Sequence, residues 1–190
     1  METYRLFVAA HIPDHVKAYL GSVQQHLKHS SAAVSWTAPQ AMHLTFWFLG
    51  DPDSSRVGDF ERALQDCQAL PAPLVRLGQA GAFPSMQRAR VVWMGLEGQL
   101  ERLFELHRAL GSALEARGVA LERRPYHPHL TLGRIRRAST PDLAQLGERI
   151  RSIPPPPPTT WYTRHVSLFR SELLARGAQY TALATIELNA

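Results

Sequence analysis

A short pattern that occurs twice is the strongest constraint on the fold of this chain. Residues 43–46 and 129–132 both have the order His, apolar, Thr, apolar, and a proline lies four positions before each histidine. Residues i and i+2 of a strand point to the same face, about 6.6 Å apart, so each His would stand beside its Thr. The repeat predicts two related strands that line one cleft from two sides. The opposite, buried face would be formed by Met42, Leu44, Phe46 and Phe48 on one strand and by Leu130 and Leu132 on the other.

The spacing of apolar residues along the rest of the chain predicts further strands and helices. Strands are predicted over 5–10, 43–49, 90–95, 129–135, 165–169 and 180–188. Helices are predicted to begin at Pro13-Asp14, near Val57, at Leu100 and at Pro141, where Thr140 is the candidate N-cap. Several strands follow one another without an intervening helix, so we expect an α+β fold with antiparallel sheets and outer helices. No Gly-x-Gly-x-x-Gly follows the first strand and no Walker-type loop occurs, which disfavours a doubly wound nucleotide-binding fold.

Length and composition fit one globular domain over residues 1–190, either ordinary or compact and two-lobed. Of the 190 residues, 45% are hydrophobic and 19% are charged, which is enough apolar sequence to bury a core without disulfides. Cys67 is the only cysteine, which excludes an internal disulfide and a cysteine-cluster zinc site. The start of the chain lacks the features of a secretory signal, and no apolar run is long enough for a bilayer. We therefore expect a cytoplasmic protein without membrane contact.

The charge balance is basic and comes mostly from arginine. Lys and Arg number 21 against 16 Asp and Glu, a formal net charge of +5. The arginines gather near 88–90, 123–124 and 134–137, and a planar guanidinium suits bidentate contacts with phosphate. The charge indicates either a phosphate-rich partner such as RNA or a solubilising face, and charge alone does not choose between them.

The two tetrads have the residue types that acid/base chemistry on a phosphodiester needs. Imidazole titrates near neutrality, so two histidines across a cleft can act as general base and general acid in one displacement. Threonine hydroxyls can donate hydrogen bonds to an anionic centre without adding a titrating group. A metal pair at His127 and His129 is the alternative, but no acidic residue lies close by in the sequence, so we expect neither a metal nor a cofactor.

Five segments extend or accompany the tetrads and carry a likeness to a known family. They are Arg5-Leu-Phe-Val-Ala-Ala, His43-Leu-Thr-Phe-Trp-Phe-Leu-Gly, Arg90-Val-Val-Trp-Met-Gly, Pro125-Tyr-His-Pro-His-Leu-Thr-Leu-Gly-Arg and Ser167-Leu-Phe-Arg-Ser-Glu. They resemble the 2H phosphoesterases, and within that family the bacterial and archaeal RNA 2′,3′-cyclic phosphodiesterases, once called 2′-5′ RNA ligases. The resemblance spans nearly the whole chain and implies a two-lobed α+β fold in which each lobe supplies one tetrad to a central groove.

The resemblance also implies roles for individual residues. It makes His129 the base toward water and His43 the acid toward the leaving 3′ oxygen, with Thr45 and Thr131 as phosphate donors. It makes Arg134 a further phosphate contact. Arg134 lies an odd number of positions after His129, so on a regular strand it would face away from the cleft, and a bend at Gly133 is needed.

The substrate implied by the resemblance is RNA with a 2′,3′-cyclic phosphate end, or a cyclic nucleotide, opened to a 2′-phosphate by a monomeric enzyme. Two alternatives stay open: a 2′-5′ RNA ligase or 2′-5′ phosphodiesterase, and an RNA-binding protein without chemistry. Trp47 and Tyr126 are candidates for stacking on a nucleobase, with packing in the core or at the rim as the other interpretation.

Overall fold

The computed structural model describes residues 2–174 and 177–189 as one antiparallel sheet with helices packed against it. The strands are β1 Arg5–Ala10, β2 Ala33–Trp36, β3 Leu44–Gly50, β4 Leu74–Phe83, β5 Val91–Gly98, β6 His129–Arg137, β7 Thr160–Tyr162, β8 His165–Leu174 and β9 Gly177–Glu187. The helices are α1 Asp14–Leu27, α2 Val57–Gln65, α3 Leu100–Glu115 and α4 Thr140–Arg151. None of the helices in these ranges is long and apolar enough to cross a bilayer. The α+β architecture expected from the sequence is confirmed.

The sheet consists of two halves that meet at β3 and β6. Its strand order is β7-β4-β5-β6-β3-β1-β8-β9, and β2 pairs with the C-terminal part of β6. The junction between the halves is the pairing of Leu44 on β3 with Leu130 on β6. Each half therefore contributes one tetrad strand to the middle of the sheet, as the two-lobed prediction requires.

Helix α1 illustrates how the apolar spacing builds the core. Its residues Val16, Leu20, Val23 and Leu27 recur at helical spacing, and each is at most 4% exposed. Helix α1 packs against α4, and α2 packs against α3 and the β8–β9 pair. The helices thus cover the sheet, as predicted.

Several local predictions need correction. The N-cap of α4 is Ser139 and not Thr140, because the Ser139 hydroxyl accepts from the Asp142 backbone N–H while the Asp142 carboxylate accepts from the Ser139 N–H. Strands β2, β4 and β7 were not expected. Two glycines interrupt the apolar pattern of β4, and β2 and β7 are only 4 and 3 residues long, too short for a periodic signal.

A β-bulge interrupts β6 directly after the second tetrad. Trp93 on β5 pairs with Thr131, but its neighbour Val92 pairs with Gly133, so Leu132 is an extra residue on β6. Leu132 and Gly133 are consequently both buried, and the exposed Arg134 returns to the face that carries Thr131. The bend that Arg134 requires is therefore present.

Gly133→Ala is expected to destabilise the fold by about 1–3 kcal/mol, because an added Cβ overpacks the contact between β6 and β2. That Cβ would lie 2.7 Å from Cγ1 of Val34 and 3.1 Å from the backbone oxygen of Ser35. The measurement is the free energy of unfolding in urea.

Gly58→Ala in α2 is the matched control. Its Cβ would meet only the end of the Arg62 side chain at 3.8 Å, and alanine favours the helix, so a gain of up to about 1 kcal/mol is expected. Equal unfolding free energies for Gly133→Ala and the unaltered chain would contradict the tight packing of the bulge.

Candidate active site

The structure brings the two tetrads side by side at the centre of the sheet. Leu44 and Leu130 are paired, so the antiparallel register places His43 opposite Thr131 and Thr45 opposite His129. Residues directly opposite in such a pair have Cβ atoms about 4.5–5.5 Å apart. The two leucines are buried on one face, and the four polar side chains share the other face, where they are partly accessible.

Each histidine is held in the same way by its own chain. Nδ1 of His43 lies 2.7 Å from the carbonyl oxygen of Ala41, and Nδ1 of His129 lies 2.6 Å from that of His127. A carbonyl can only accept, so Nδ1 carries the proton and donates it in both hydrogen bonds. Within the described part of the chain neither Nε2 has a hydrogen-bond partner. Nε2 is therefore the nitrogen of each ring that can exchange a proton with a substrate.

Aromatic side chains contact both imidazoles, but the contacts of His43 and His129 differ in geometry. The His43 ring stacks on Phe7 at 4.8 Å between centroids and meets the edge of Tyr180 at 5.2 Å. The His129 ring meets Phe83 edge-on at 5.1 Å. These contacts fix the ring planes and exclude water from one side of each histidine.

Burial lowers the pKa of both histidines. It lowers the pKa of His43 to about 4, against the opposing effect of the Ala41 hydrogen bond and with smaller contributions from His11 and His129. It also lowers the pKa of His129, where the charge of Arg134 acts in the same direction. Without a ligand both rings are therefore neutral at pH 7. A bound anion would favour their protonated forms.

Arg134 reaches the same site from β6. The bulge at Leu132 places it on the cleft face, and its positive charge is close enough to lower the pKa of His129. All five residues predicted from the sequence thus lie on one face of the junction between the halves.

The two aromatic residues nominated for base stacking are packed against α3 instead. The Trp47 ring lies 4.1 Å from the His107 ring, and its Nε1 donates to the His107 carbonyl oxygen at 2.8 Å. Tyr126 stacks on His107 at 3.9 Å between centroids. The structure therefore supports the packing interpretation for both residues.

Phe48 corrects the predicted burial of β3. The sequence placed its side chain on the buried face, but it is 60% exposed and lies 6.1 Å from the Phe7 ring. The reason is a bulge: Ala9 pairs with Thr45 and Val8 with Trp47, so the strict alternation ends after the tetrad. Phe48 presents an open aromatic face beside the site, and only the backbone irregularity reveals it.

Two other features lie apart from the paired tetrads. Residues 2–174 and 177–189 contain no cluster of three or more His, Cys, Asp or Glu side chains suited to a metal ion. A cavity of about 510 Å³ is lined in part by the prolines at 154–158 and by none of the five predicted site residues.

Comparisons with known proteins agree with this geometry. The family model described as LigT like Phosphoesterase matches residues 11–93 and 95–180. A Methanothermobacter thermautotrophicus protein named RNA 2′,3′-cyclic phosphodiesterase is 30% identical over 185 residues, covering 97% of this chain and 98% of its own length.

Solved structures show the same fold. TT0787 of Thermus thermophilus superposes with a TM-score of 0.78 at 26% identity, covering 98% of both chains. Escherichia coli LigT complexed with 3′-AMP has a TM-score of 0.78 at 27% identity, covering 100% of both chains. Together with the family match over most of the sequence, these similarities confirm the resemblance noted from the motifs. This chain belongs to the LigT-like phosphoesterase family.

Proposed function

We propose that this chain hydrolyses 2′,3′-cyclic phosphate ends of RNA and leaves a 2′-phosphate. The observation that carries the proposal is the pairing of two His-Thr tetrads across β3 and β6, in which Nδ1 of each histidine is hydrogen-bonded and Nε2 has no partner among the described residues. The Methanothermobacter relative is named for this activity. Acid/base catalysis needs two such groups within reach of one phosphorus atom.

The reaction is a single in-line displacement at phosphorus. Nε2 of neutral His129 takes a proton from water as its oxygen bonds to phosphorus. The bond to the 3′ oxygen breaks, and protonated His43 gives that oxygen a proton. Hydroxyl groups of Thr45 and Thr131 donate hydrogen bonds to the non-bridging oxygens, and Arg134 offsets their charge. The assignment of acid and base follows the family resemblance, because the two tetrads are too symmetric for their local geometry to decide.

Phosphate binding supplies the protonation state that the acid needs. Burial holds the pKa of His43 at about 4, so the ring is neutral at pH 7 in the empty site. An anion within about 4–6 Å favours the charged form of a histidine and raises its pKa. In this proposal the substrate therefore brings His43 into its protonated form, and in the empty site the permanent positive charge is that of Arg134.

The remaining parts of the proposal concern the setting in which the chain acts. Both tetrads come from one chain, which supports a monomeric enzyme acting as one unit over residues 1–190. Cys67 is buried, which supports a role in packing. We extend the proposal to a cytoplasmic enzyme, because a chain with a single free cysteine suits a reducing compartment and because its proposed substrate is RNA.

Phosphorus NMR on a 2′,3′-cyclic nucleotide tests the proposed function directly. Conversion to the 2′-phosphate supports it. Turnover only of 2′-5′ linked oligonucleotides would favour the 2′-5′ phosphodiesterase alternative. Binding of RNA without any turnover would favour the non-catalytic alternative.

His43→Ala and His129→Ala are each expected to lower kcat by about 10²- to 10⁴-fold, the usual contribution of one general acid or base. Both side chains lie on the cleft face, so both variants should stay folded, which circular dichroism checks. A rate close to that of the unaltered chain in either folded variant would remove the paired-histidine mechanism.

The pH profile of kcat/KM is expected to be a bell with both limbs below pH 6.5. The rate falls in acid because the base becomes protonated, and it falls in alkali because the acid loses its proton. The pKa of each histidine is lowered in the free chain, which moves both limbs in the acid direction. The kcat profile, which reports the bound complex, should lie at higher pH. Limbs of the kcat/KM profile centred above pH 6.5 would show that burial does not set the pKa values of the two histidines.

Turnover of a cyclic mononucleotide is expected to survive exhaustive chelation, because the proposed steps use only imidazole, hydroxyl and guanidinium groups. The measurement is the initial rate with excess EDTA after dialysis. Loss of that rate, restored by one divalent metal, would contradict the proposal. It would favour the alternative in which His127 and His129 bind a metal ion.

A further inference from the structure

Two more histidines continue the line of the catalytic pair across the sheet. Ala10 on β1 pairs with Leu44 on β3 and with Val166 on β8, so the next residues, His11 and His165, lie level with His43. Neighbouring strands are about 4.8 Å apart, which places His165 about 10 Å from His43. The sequence showed no pattern that connects these histidines, because only the register of β1 with β3 and β8 aligns them.

The side chains of His11 and His165 point to the same face as the catalytic pair. The His11 ring lies 5.3 Å from the Phe169 ring, which in turn lies 6.3 Å from the His43 ring. The His165 ring lies 6.4 Å from His11. Nε2 of His11 is 2.7 Å from the hydroxyl oxygen of the buried Ser167, which fixes the orientation of the ring.

A pocket of about 260 Å³ lies at the outer end of this line. His11 and His165 line it together with Arg164 and Tyr162. The Arg164 guanidinium lies 5.3 Å from the centre of the Tyr162 ring, which is 46% exposed. Within residues 2–174 and 177–189 no carboxylate oxygen comes within 4.0 Å of that guanidinium. The carboxylate of Asp14 also lines the pocket.

We propose that this pocket, formed by His11, Arg164, His165 and Tyr162, binds the phosphodiester next to the terminal cyclic phosphate of an RNA substrate. A guanidinium without an ion-pair partner among the described residues, together with two imidazoles, matches a phosphate group, and the exposed Tyr162 ring offers a face for a base. The pocket lies about two strand spacings from His43, so an RNA strand bound at the catalytic pair can extend into it. The proposal rests on the proposed function and adds a preference for oligonucleotides over mononucleotides.

Asp14 is expected to weaken phosphate binding in this pocket, and its replacement tests whether the bound group is an anion. Its carboxylate is almost fully exposed and contacts Lys17 at 3.2 Å. A negative charge at the edge of a phosphate subsite repels the ligand. Asp14→Asn should therefore tighten oligonucleotide binding, whereas Arg164→Ala should weaken it.

The experiment compares two substrates in one set of variants. Arg164→Ala is expected to lower kcat/KM about tenfold for an RNA tetranucleotide with a 2′,3′-cyclic phosphate end, and less than about twofold for a cyclic mononucleotide. The slope of log KM against log salt for the tetranucleotide should decrease by about 0.7, the value for one phosphate contact with a single strand. Arg62→Ala on α2 removes the same charge from an exposed side chain and serves as the control.

The outcomes separate this inference from the proposed function. An equal loss on both substrates, or a loss no greater than that of Arg62→Ala, would overturn the subsite. If the unaltered chain turned over neither substrate, the proposed function would fail, and fluorescence anisotropy with a labelled tetranucleotide ending in 2′-phosphate would still test the pocket. Weaker binding by Arg164→Ala and tighter binding by Asp14→Asn would support it there, and unchanged binding would overturn it.

A second inference concerns the bulge that carries Arg134 to the cleft. Gln24 of α1 is 4% exposed, and its Nε2 donates to the carbonyl oxygens of Thr37 at 2.7 Å and Leu132 at 2.8 Å. The Leu132 oxygen also accepts from the Thr37 N–H at 2.9 Å. Leu132 is the extra residue of the bulge. Its carbonyl is thus held by two donors on the side away from β5.

We infer that Gln24 is a positioning residue for Arg134, acting through the Leu132 carbonyl. A bulge moves the following side chain to the other face, so loss of the bulge would turn Arg134 away from His129. Loss of Gln24 would remove one of the two donors to the Leu132 carbonyl and also the bond to the Thr37 carbonyl, and loss of hydrogen bonds to buried groups is costly. Gln24 therefore stabilises the backbone conformation of the bulge. The inference concerns geometry and does not depend on the reaction proposed above.

NMR titration of His129 tests this inference without any substrate. Arg134 lowers the pKa of His129 in the intact site, and His127 acts in the same direction. Gln24→Leu should therefore raise the pKa of His129, and Arg134→Ala should raise it as much. The double variant should show no further rise, because Gln24→Leu turns the Arg134 charge away from His129 and Arg134→Ala removes that same charge. Val23→Ala on the same helix removes core packing but neither hydrogen bond and should leave this pKa unchanged.

Two results would overturn the role of Gln24. One is an unchanged pKa of His129 in folded Gln24→Leu. The other is a pKa rise that adds to that of Arg134→Ala, which would show that the two residues act independently. If Gln24→Leu does not fold, Gln24→Met keeps the length of the side chain and removes the same donors, and the same two results decide.

Discussion

The pairing of Leu44 with Leu130 joins β3 to β6 and thereby joins the two halves of the sheet. Both side chains are almost completely buried, and burying a leucine contributes about 1.5–3 kcal/mol. Because strand residues alternate between faces, placing these two leucines in the core also places both histidines and both threonines in the cleft. The contact that stabilises the junction is therefore also the contact that sets the geometry of the site.

Desolvation gives this geometry its chemical character. Aromatic rings around His43 remove water from the imidazole, and the resulting decrease of its pKa from 6.5 to about 4 corresponds to about 3 kcal/mol. A histidine whose pKa is lowered by folding costs the protein stability as the pH falls from 6.5 toward 4, since the unfolded chain takes up the proton first. The same preference for the neutral ring couples phosphate binding to proton uptake. The His43 imidazole, neutral in the empty site, thus becomes charged when the anion binds.

The sequence predicts those parts of the fold and of the candidate site that depend on regular periodicity. The i, i+2 spacing was sufficient to place His43 beside Thr45 and His129 beside Thr131, and the helical spacing of α1 predicted its buried face. The faces of residues that follow a bulge were harder to predict. One extra residue reverses the alternation of side chains, and no local sequence signal shows where that residue lies. Phe48 was therefore assigned to the wrong face, and Arg134 needed a bend that only the pairing of β5 with β6 reveals.

Residues brought together by register alone could not be predicted. His11 and His165 lie level with His43 because β1 pairs with both β3 and β8, a relation between segments far apart in the chain. Gln24 reaches the Leu132 carbonyl from a helix more than 100 residues away in sequence. Neither relation leaves a periodic signal, because the first depends on strand register and the second on how helix α1 packs against the completed sheet.

The most direct test of the central claim uses a phosphodiester whose leaving group is a nitrophenolate, which needs no proton to depart. If His43 is the acid and His129 the base, this substrate restores turnover to His43→Ala and leaves His129→Ala inactive. Restoration of His129→Ala with continued inactivity of His43→Ala would reverse the two roles. Restoration of neither variant would contradict acid/base catalysis by the paired histidines.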